Sequence, residues 1–229
     1  MVSSSGAGEN TPTAPSAKPS SVNKKAEKRE VAMAKILNAT LDLIARKGLA
    51  ALSHRSIASE AGVQLAMTTY YFGTIDNILV EAFREYRKSM EPVNMGIVVA
   101  YSELLARCVN EQGELANRDG YIEGLADIFA QLIDTGPTTR LRQLQIECQY
   151  LYEQHPSPAL AKEIQSYTDE LTGHSREFIA PLATRSPDLD AQMFLWMIQS
   201  LEFSQVTSVG IKGQSSRDVL VRMLRGFLV

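Results

Sequence analysis

The chain has 229 residues, 45% hydrophobic and 21% charged, which is enough apolar material for one large soluble domain or two small ones. That balance excludes a collagen, a coiled-coil rod and a wholly disordered chain. The formal charge of −3 is uneven: residues 1–23 are neutral, residues 24–90 carry 11 Lys and Arg against 7 Asp and Glu, and residues 91–229 carry 11 against 18. A basic N-terminal part and an acidic remainder suggest two jobs, one of them at a polyanion. Cys108 and Cys148 lie far apart among apolar neighbours, which argues against a disulfide framework or a metal site and for a reducing compartment. No apolar run reaches the ~18 residues of a membrane span, and the first 23 residues lack the apolar stretch of a secretion signal. No membrane partner and a cytoplasmic location are expected.

Residues 1–23, rich in Ser, Thr, Pro, Ala and Gly, are expected to form a disordered tail because they cannot bury enough surface to offset chain entropy. From Lys24 onward the pattern is helical almost throughout, with no alternating strand and no internal repeat. A first helix is expected over about 28–47, with Ile36, Leu37, Thr40, Leu41 and Ile44 on one face and Gly48 closing it. Ser53 is placed to cap a short helix carrying Ile57, Ala58 and Ala61, which stops at Gly62. A second short helix runs from Gln64 to about Tyr71. Thr74 caps a longer one, with Ile78, Leu79, Ala82, Phe83 and Tyr86 inward, and Pro92 ends or kinks it. Further helices are expected at about 95–112, 119–134, 138–154, 158–182, 188–209 and 215–228, several introduced by Ser157-Pro158, Ser186-Pro187 or Ser215-Ser216.

The stretch from Ser53 to Phe72, SHRSIASEAGVQLAMTTYYF, has what a helix-turn-helix needs: Gly62 for the turn, Ala61 for close helix approach and Val63 as an apolar plug. Its second helix is then presented outward, with a diameter that fits a DNA major groove.

From Ile36 to about Phe83 the chain resembles the DNA-binding domain of the TetR family of bacterial transcriptional regulators. The resemblance is carried by the Ile-Leu-x-Ala helix, Gly48, Ser53, Ile57-Ala58, Ala61-Gly62-Val63 and the aromatic run ending at Phe72. It implies an all-α protein: an N-terminal three-helix helix-turn-helix domain over 24–73, then a larger helical bundle over 74–229 for ligand binding and dimerisation. It also implies a homodimer that binds an inverted-repeat operator in double-stranded DNA and is released by a small-molecule effector. Carried over by position, Gln64, Leu65, Ala66 and Met67 reach base edges, and Thr68, Thr69, Tyr70 and Tyr71 reach phosphates or bases. Gln64 could equally be a cap, and one of the two tyrosines could serve as a prop. The chain departs from the family pattern in having Leu65 where Lys or Arg is common, Thr69 where Tyr is common, and Gly73-Thr74-Ile75 in place of a stretch ending in Lys. The recognition helix therefore has no positive charge, and phosphate neutralisation falls to Lys24, Lys25, Lys28 and Arg29, with His54 and Arg55.

The last two helices are unusually apolar. Met193, Phe194, Met197 and Leu201 on one, with Val219, Leu220, Met223, Leu224 and Phe227 on the other, are assigned to a dimer interface, with ordinary core as the alternative. Tyr101, Tyr121, Phe129, Gln145, Cys148, Tyr152 and Trp196 combine apolar bulk with a polar handle and are the candidates for an effector pocket. Catalytic sets are not in view: His54, His155 and His174 are dispersed, and H-E-x-x-H, G-x-S-x-G and a Gly-rich phosphate loop are missing. No enzyme activity, metal or cofactor is expected. The alternative to a regulator is a helical adaptor or ligand-binding protein that has lost sequence-specific DNA binding.

Overall fold

The computed structural model describes residues 21–207 and 213–228, with 21–24 as backbone alone. Among them are nine α-helices and no strand, the all-α architecture expected. Helix α1 spans Ser21–Lys47 and starts ahead of the expected Lys28. The segment before the apolar stripe is rich in Ala, Lys, Glu and Arg, strong helix formers that extend the helix beyond its buried face. Residues 21–23, assigned to the tail, are therefore helical; the expectation for residues 1–20 lies outside the described residues.

Helices α2 (His54–Ala61) and α3 (Leu65–Phe72) follow, and with α1 they form the head. Helix α4, Ile75–Cys108, continues through Pro92, so the separate helix expected over 95–112 is its second half and ends at Cys108. Proline removes one backbone hydrogen bond, but burial on both sides of it, at Tyr86 and Met90 before and Leu104 and Cys108 after, holds the helix together. The body is completed by α5 (Arg118–Thr139), α6 (Leu141–Leu151), α7 (Pro158–Ile179), α8 (Pro187–Thr207) and α9 (Ser216–Gly226). Arg140 breaks the chain between α5 and α6 with φ −146° and ψ 33°, and that break turns its side chain into the interior. Between α4 and α5 a side chain at position 124 would stand 2.3 Å from Leu104 Cδ1, so Gly124 permits the close approach of the two helices. Both cysteines are free thiols, and among the described residues no helix is long and apolar enough to cross a membrane.

Two cores result. The first takes the expected α1 stripe, Ile57 and Phe72 from the head and continues through Ile78, Phe83 and Tyr86 of α4 to Tyr150 of α6 and Tyr167 of α7. The second is confined to the body, around Leu125, Phe129, Phe178, Phe194, Leu220 and Leu224. Phe83 sits at the junction of head and body, fully buried, with its ring 4.6 Å from Tyr150 and 5.6 Å from Tyr167. Replacing Phe83 with Ala is expected to cost about 3–5 kcal/mol and to lower one joint unfolding transition of head and body. Calorimetry checks this, and a body transition that stays in place while the head melts early would refute it.

Candidate nucleic-acid interface and internal cavity

The head is built by local capping. Ser53 Oγ accepts from Ser56 N–H at 3.0 Å while Ser56 Oγ accepts from Ser53 N–H at 2.9 Å, a reciprocal box that fixes the start of α2. Gly62 closes that helix in the left-handed region, φ 63° and ψ 35°, and the chain turns directly into α3. Gln64 precedes α3 without a side-chain capping bond, which leaves its exposed amide available. Leu65, Ala66, Thr69 and Tyr70 point outward, with Tyr70 80% exposed, while Thr68 and Phe72 point inward.

Thr68 is a correction to the expected contact set. Its hydroxyl, fully buried, donates to Leu65 O at 2.8 Å and accepts from His54 Nδ1 at 2.9 Å, so it ties α2 to α3 and cannot reach a phosphate. His54 is likewise engaged inside the head through that nitrogen. Met67 and Tyr71 are half-buried against the first core, and the Tyr71 ring lies edge-on 5.1 Å from Tyr70, which makes Tyr71 the prop of the pair. Lys25, Lys28, Arg29 and Arg55 are exposed and have no ion-pair partner among the described residues, whereas Arg84, Arg87, Arg142, Arg217 and Arg225 of the body are all paired. The side chain of Lys24 lies outside the described residues.

The body encloses a cavity of about 290 Å³ between α4, α5, α7 and α8, just under the usual range for ligand sites. Of the seven expected pocket residues, Tyr101 and Phe129 line it. Tyr121 does not: it is buried behind the wall, donating to Phe178 O at 2.7 Å. Gln145 is half-buried elsewhere, and Cys148 and Tyr152 border a shallow groove beside Phe203. Trp196 is 55% exposed on the outer side of α8, because Leu195, Ile198 and Glu202 take its cavity side.

The polar end of the cavity is absent from the sequence-based expectations. Glu147, Arg140 and Glu202, all almost fully buried, meet there. Arg140 Nη2 donates to Glu202 Oε1 in an ion pair and to Leu132 O at 2.9 Å. Glu147 instead accepts from two phenols, Tyr86 at 2.7 Å and Tyr167 at 3.4 Å. The signal that points to it is a carboxylate at helical spacing on an apolar face, three residues from both Leu144 and Tyr150.

The expected dimer interface is also corrected. Phe194, Leu220 and Leu224 belong to the second core, since α8 and α9 pack on α5 within one chain. Met197, Leu201, Met223 and Phe227 are half-buried against that core, and Val219 is half-buried. Met193 is exposed, in line with Leu189 and Trp196 on α8.

Residues 36–82 match the family model described as bacterial regulatory proteins, tetR family. The head therefore resembles that of the TetR family. No curated protein sequence matches the chain. A solved transcriptional regulator of Rhodococcus sp. Rha1 (RHA1_ro04179) is 17% identical, with 86% of this chain and 95% of that one covered and a TM-score of 0.64. NalD, the secondary repressor of the MexAB-OprM multidrug efflux pump in Pseudomonas aeruginosa, is 16% identical, with 89% and 97% covered and a TM-score of 0.59. The multidrug binding protein EbrR, solved with malachite green, is 25% identical, with 83% and 96% covered and a TM-score of 0.52.

The Glu147 carboxyl is pushed up to about 7, chiefly by burial and next by the Glu202 charge, with the Tyr86 hydrogen bond opposing. Burial raises Glu202 as well, and Arg140 opposes that shift. A carboxyl raised on folding lends stability that is complete below its unfolded value near 4.5 and lost as pH rises through about 7. The loss is about 3 kcal/mol. Glu147→Gln, which mimics the protonated form, is expected to gain on the parent across that window by the same amount. Denaturant titrations at pH 5 and 8 check it; an equal difference at both would refute it.

Proposed function

We infer that the protein is a TetR-family transcriptional regulator that acts as a homodimeric repressor of an inverted-repeat operator, released by a small molecule held in the body. The observation that carries the reading is the uncovered face of α3, with Gln64, Ala66, Thr69 and Tyr70 outward, in a head whose Lys25, Lys28, Arg29 and Arg55 are exposed without ion-pair partners among the described residues. Hydroxyls and backbone groups there position the helix on phosphates, while Gln64 and the apolar Leu65, Ala66 and Met67 read base edges, a thymine methyl among them. The cations at 24–29 and Arg55 supply the neutralisation that α3 lacks. Its multidrug-binding relative EbrR, solved with malachite green, supports a body that takes a ligand.

Coupling between the body and the head has a route through α6 as well as α4. Arg142 Nε of α6 binds Asp42 Oδ1 of α1 at 2.6 Å, and Tyr150 of α6 donates to Leu79 O of α4 at 3.0 Å. A ligand that moves Glu147 therefore moves the helix leaning on the head. In a dimer whose reading heads sit about one helical turn apart, ~34 Å, a small tilt spoils the fit. A bias of ~1–3 kcal/mol between spacings is enough for release.

Two outcomes test this. Neutralising Lys24, Lys25, Lys28 and Arg29 together is expected to weaken binding to DNA from the chain's own upstream region and to flatten the slope of log K against log salt by about 0.9 per lost contact. Fluorescence anisotropy at several salt concentrations reads it; an unchanged slope removes those residues from the interface, and absence of binding by the parent chain favours an adaptor. For assembly, the exposed α8 row is the seam, so Met193→Glu with Trp196→Glu is expected to give a folded monomer by light scattering. Retention of the dimer by that double variant would place the interface elsewhere.

A further inference from the structure

The cavity has an unbalanced charge. Two buried carboxylates line it, Glu147 and Glu202, with Glu177 exposed to solvent, against one guanidinium, Arg140, and no lysine among the described residues. Arg140 is already committed, to Glu202 and to Leu132 O. Glu147 is left at the polar end with only the neutral phenols of Tyr86 and Tyr167 as hydrogen-bond donors. An ionised carboxylate buried without a cationic partner is costly, and the cost is relieved by taking up either a proton or a cation. The rest of the wall is mostly apolar and aromatic, with Asn94, Ser102, His174, Ser175 and Gln199 as its other polar groups. Tyr101 and Phe129 stand edge-on to Phe178, with ring centroids 4.8 and 5.3 Å away, and offer ring surface that attracts positive charge.

We propose that the cavity is a site for a compact aromatic monocation, with the Glu147 carboxylate as its counter-charge; this rests on the reading of the body as the effector domain. An anionic ligand would face Glu147 and find the one guanidinium taken. A neutral ligand gains the apolar burial but leaves Glu147 uncompensated. A cation gains both. The groups around Glu147 are Tyr86 of α4, Tyr167 of α7, Glu202 of α8 and Arg140 between α5 and α6, with His174 and Glu177 of α7 further along the wall.

The test uses the full chain and an isosteric set: N-phenylpyridinium as the cation, biphenyl as its neutral counterpart and biphenyl-4-carboxylate as the anion. Calorimetric titration at pH 8 is expected to give the cation at least about tenfold tighter binding than biphenyl, and the carboxylate the weakest. Lowering the pH to 6 is expected to cost the cation about tenfold as Glu147 protonates, and to leave biphenyl unchanged. Glu147→Gln is expected to erase the cation's advantage while keeping biphenyl binding; if that variant fails to fold, the pH series on the parent chain decides the same point. Equal affinity for cation and biphenyl, or binding of neither at millimolar concentration, overturns the proposal. A parallel gel shift with upstream DNA keeps the two readings apart: cation binding with no DNA binding removes the regulator and supports the cation site, and DNA release by biphenyl alone does the reverse.

Discussion

The hydrogen bond from Tyr86 to Glu147 joins the two halves of this protein at their most buried point. Tyr86 belongs to the helix that leaves the head, Glu147 to the short helix that leans back on α1, and both are almost sealed from solvent. Phe83, Tyr150 and Tyr167 pack around them, so the carboxylate sits where the head's core and the cavity share a wall. A charge there is costly, and its hydrogen-bond donors come from α4 and α7. The cavity and the contacts that run from it to the head are on these grounds one arrangement.

Helix α8 shows how a single element serves two surfaces. It is apolar almost all round: Phe194 and Ile198 fill the second core, Ile198 and Glu202 also close the cavity, and Leu189, Met193 and Trp196 remain uncovered on the far side. A row of large apolar groups left in water calls for a partner, and the same helix is in contact with whatever fills the cavity. Ligand occupancy and subunit contact would thus act on one rigid rod.

The head contrasts with the body in how its charges are used. Several body arginines close ion pairs across helices, for example Arg217 with Glu123 and Asp127, and Arg46 of the head pairs with Glu60, while the cations at the entrance of α1 have no such partner among the described residues. Exposed pairs contribute little to stability, so the difference bears on what each surface can meet. If α3 reads DNA, as proposed, these unpaired cations would supply affinity and the uncharged α3 the discrimination.

How much was legible beforehand depended on the range of the interactions. The turn at Gly62, the Ser53 and Thr74 caps, the α1 stripe and the helical character of the body are set by local backbone preference and by period, which neighbouring residues declare on their own. Where an apolar helix had several faces to bury, period was silent: nothing local distinguishes Phe194, which is core, from Met193 and Trp196, which are not. Thr68 looked like a phosphate contact until its partner His54, fourteen residues away, used its hydroxyl. The meeting of Arg140, Glu147 and Glu202 depends on helices folding back over long separations, and only the tertiary structure could bring those charges together and leave one of them without a counter-ion.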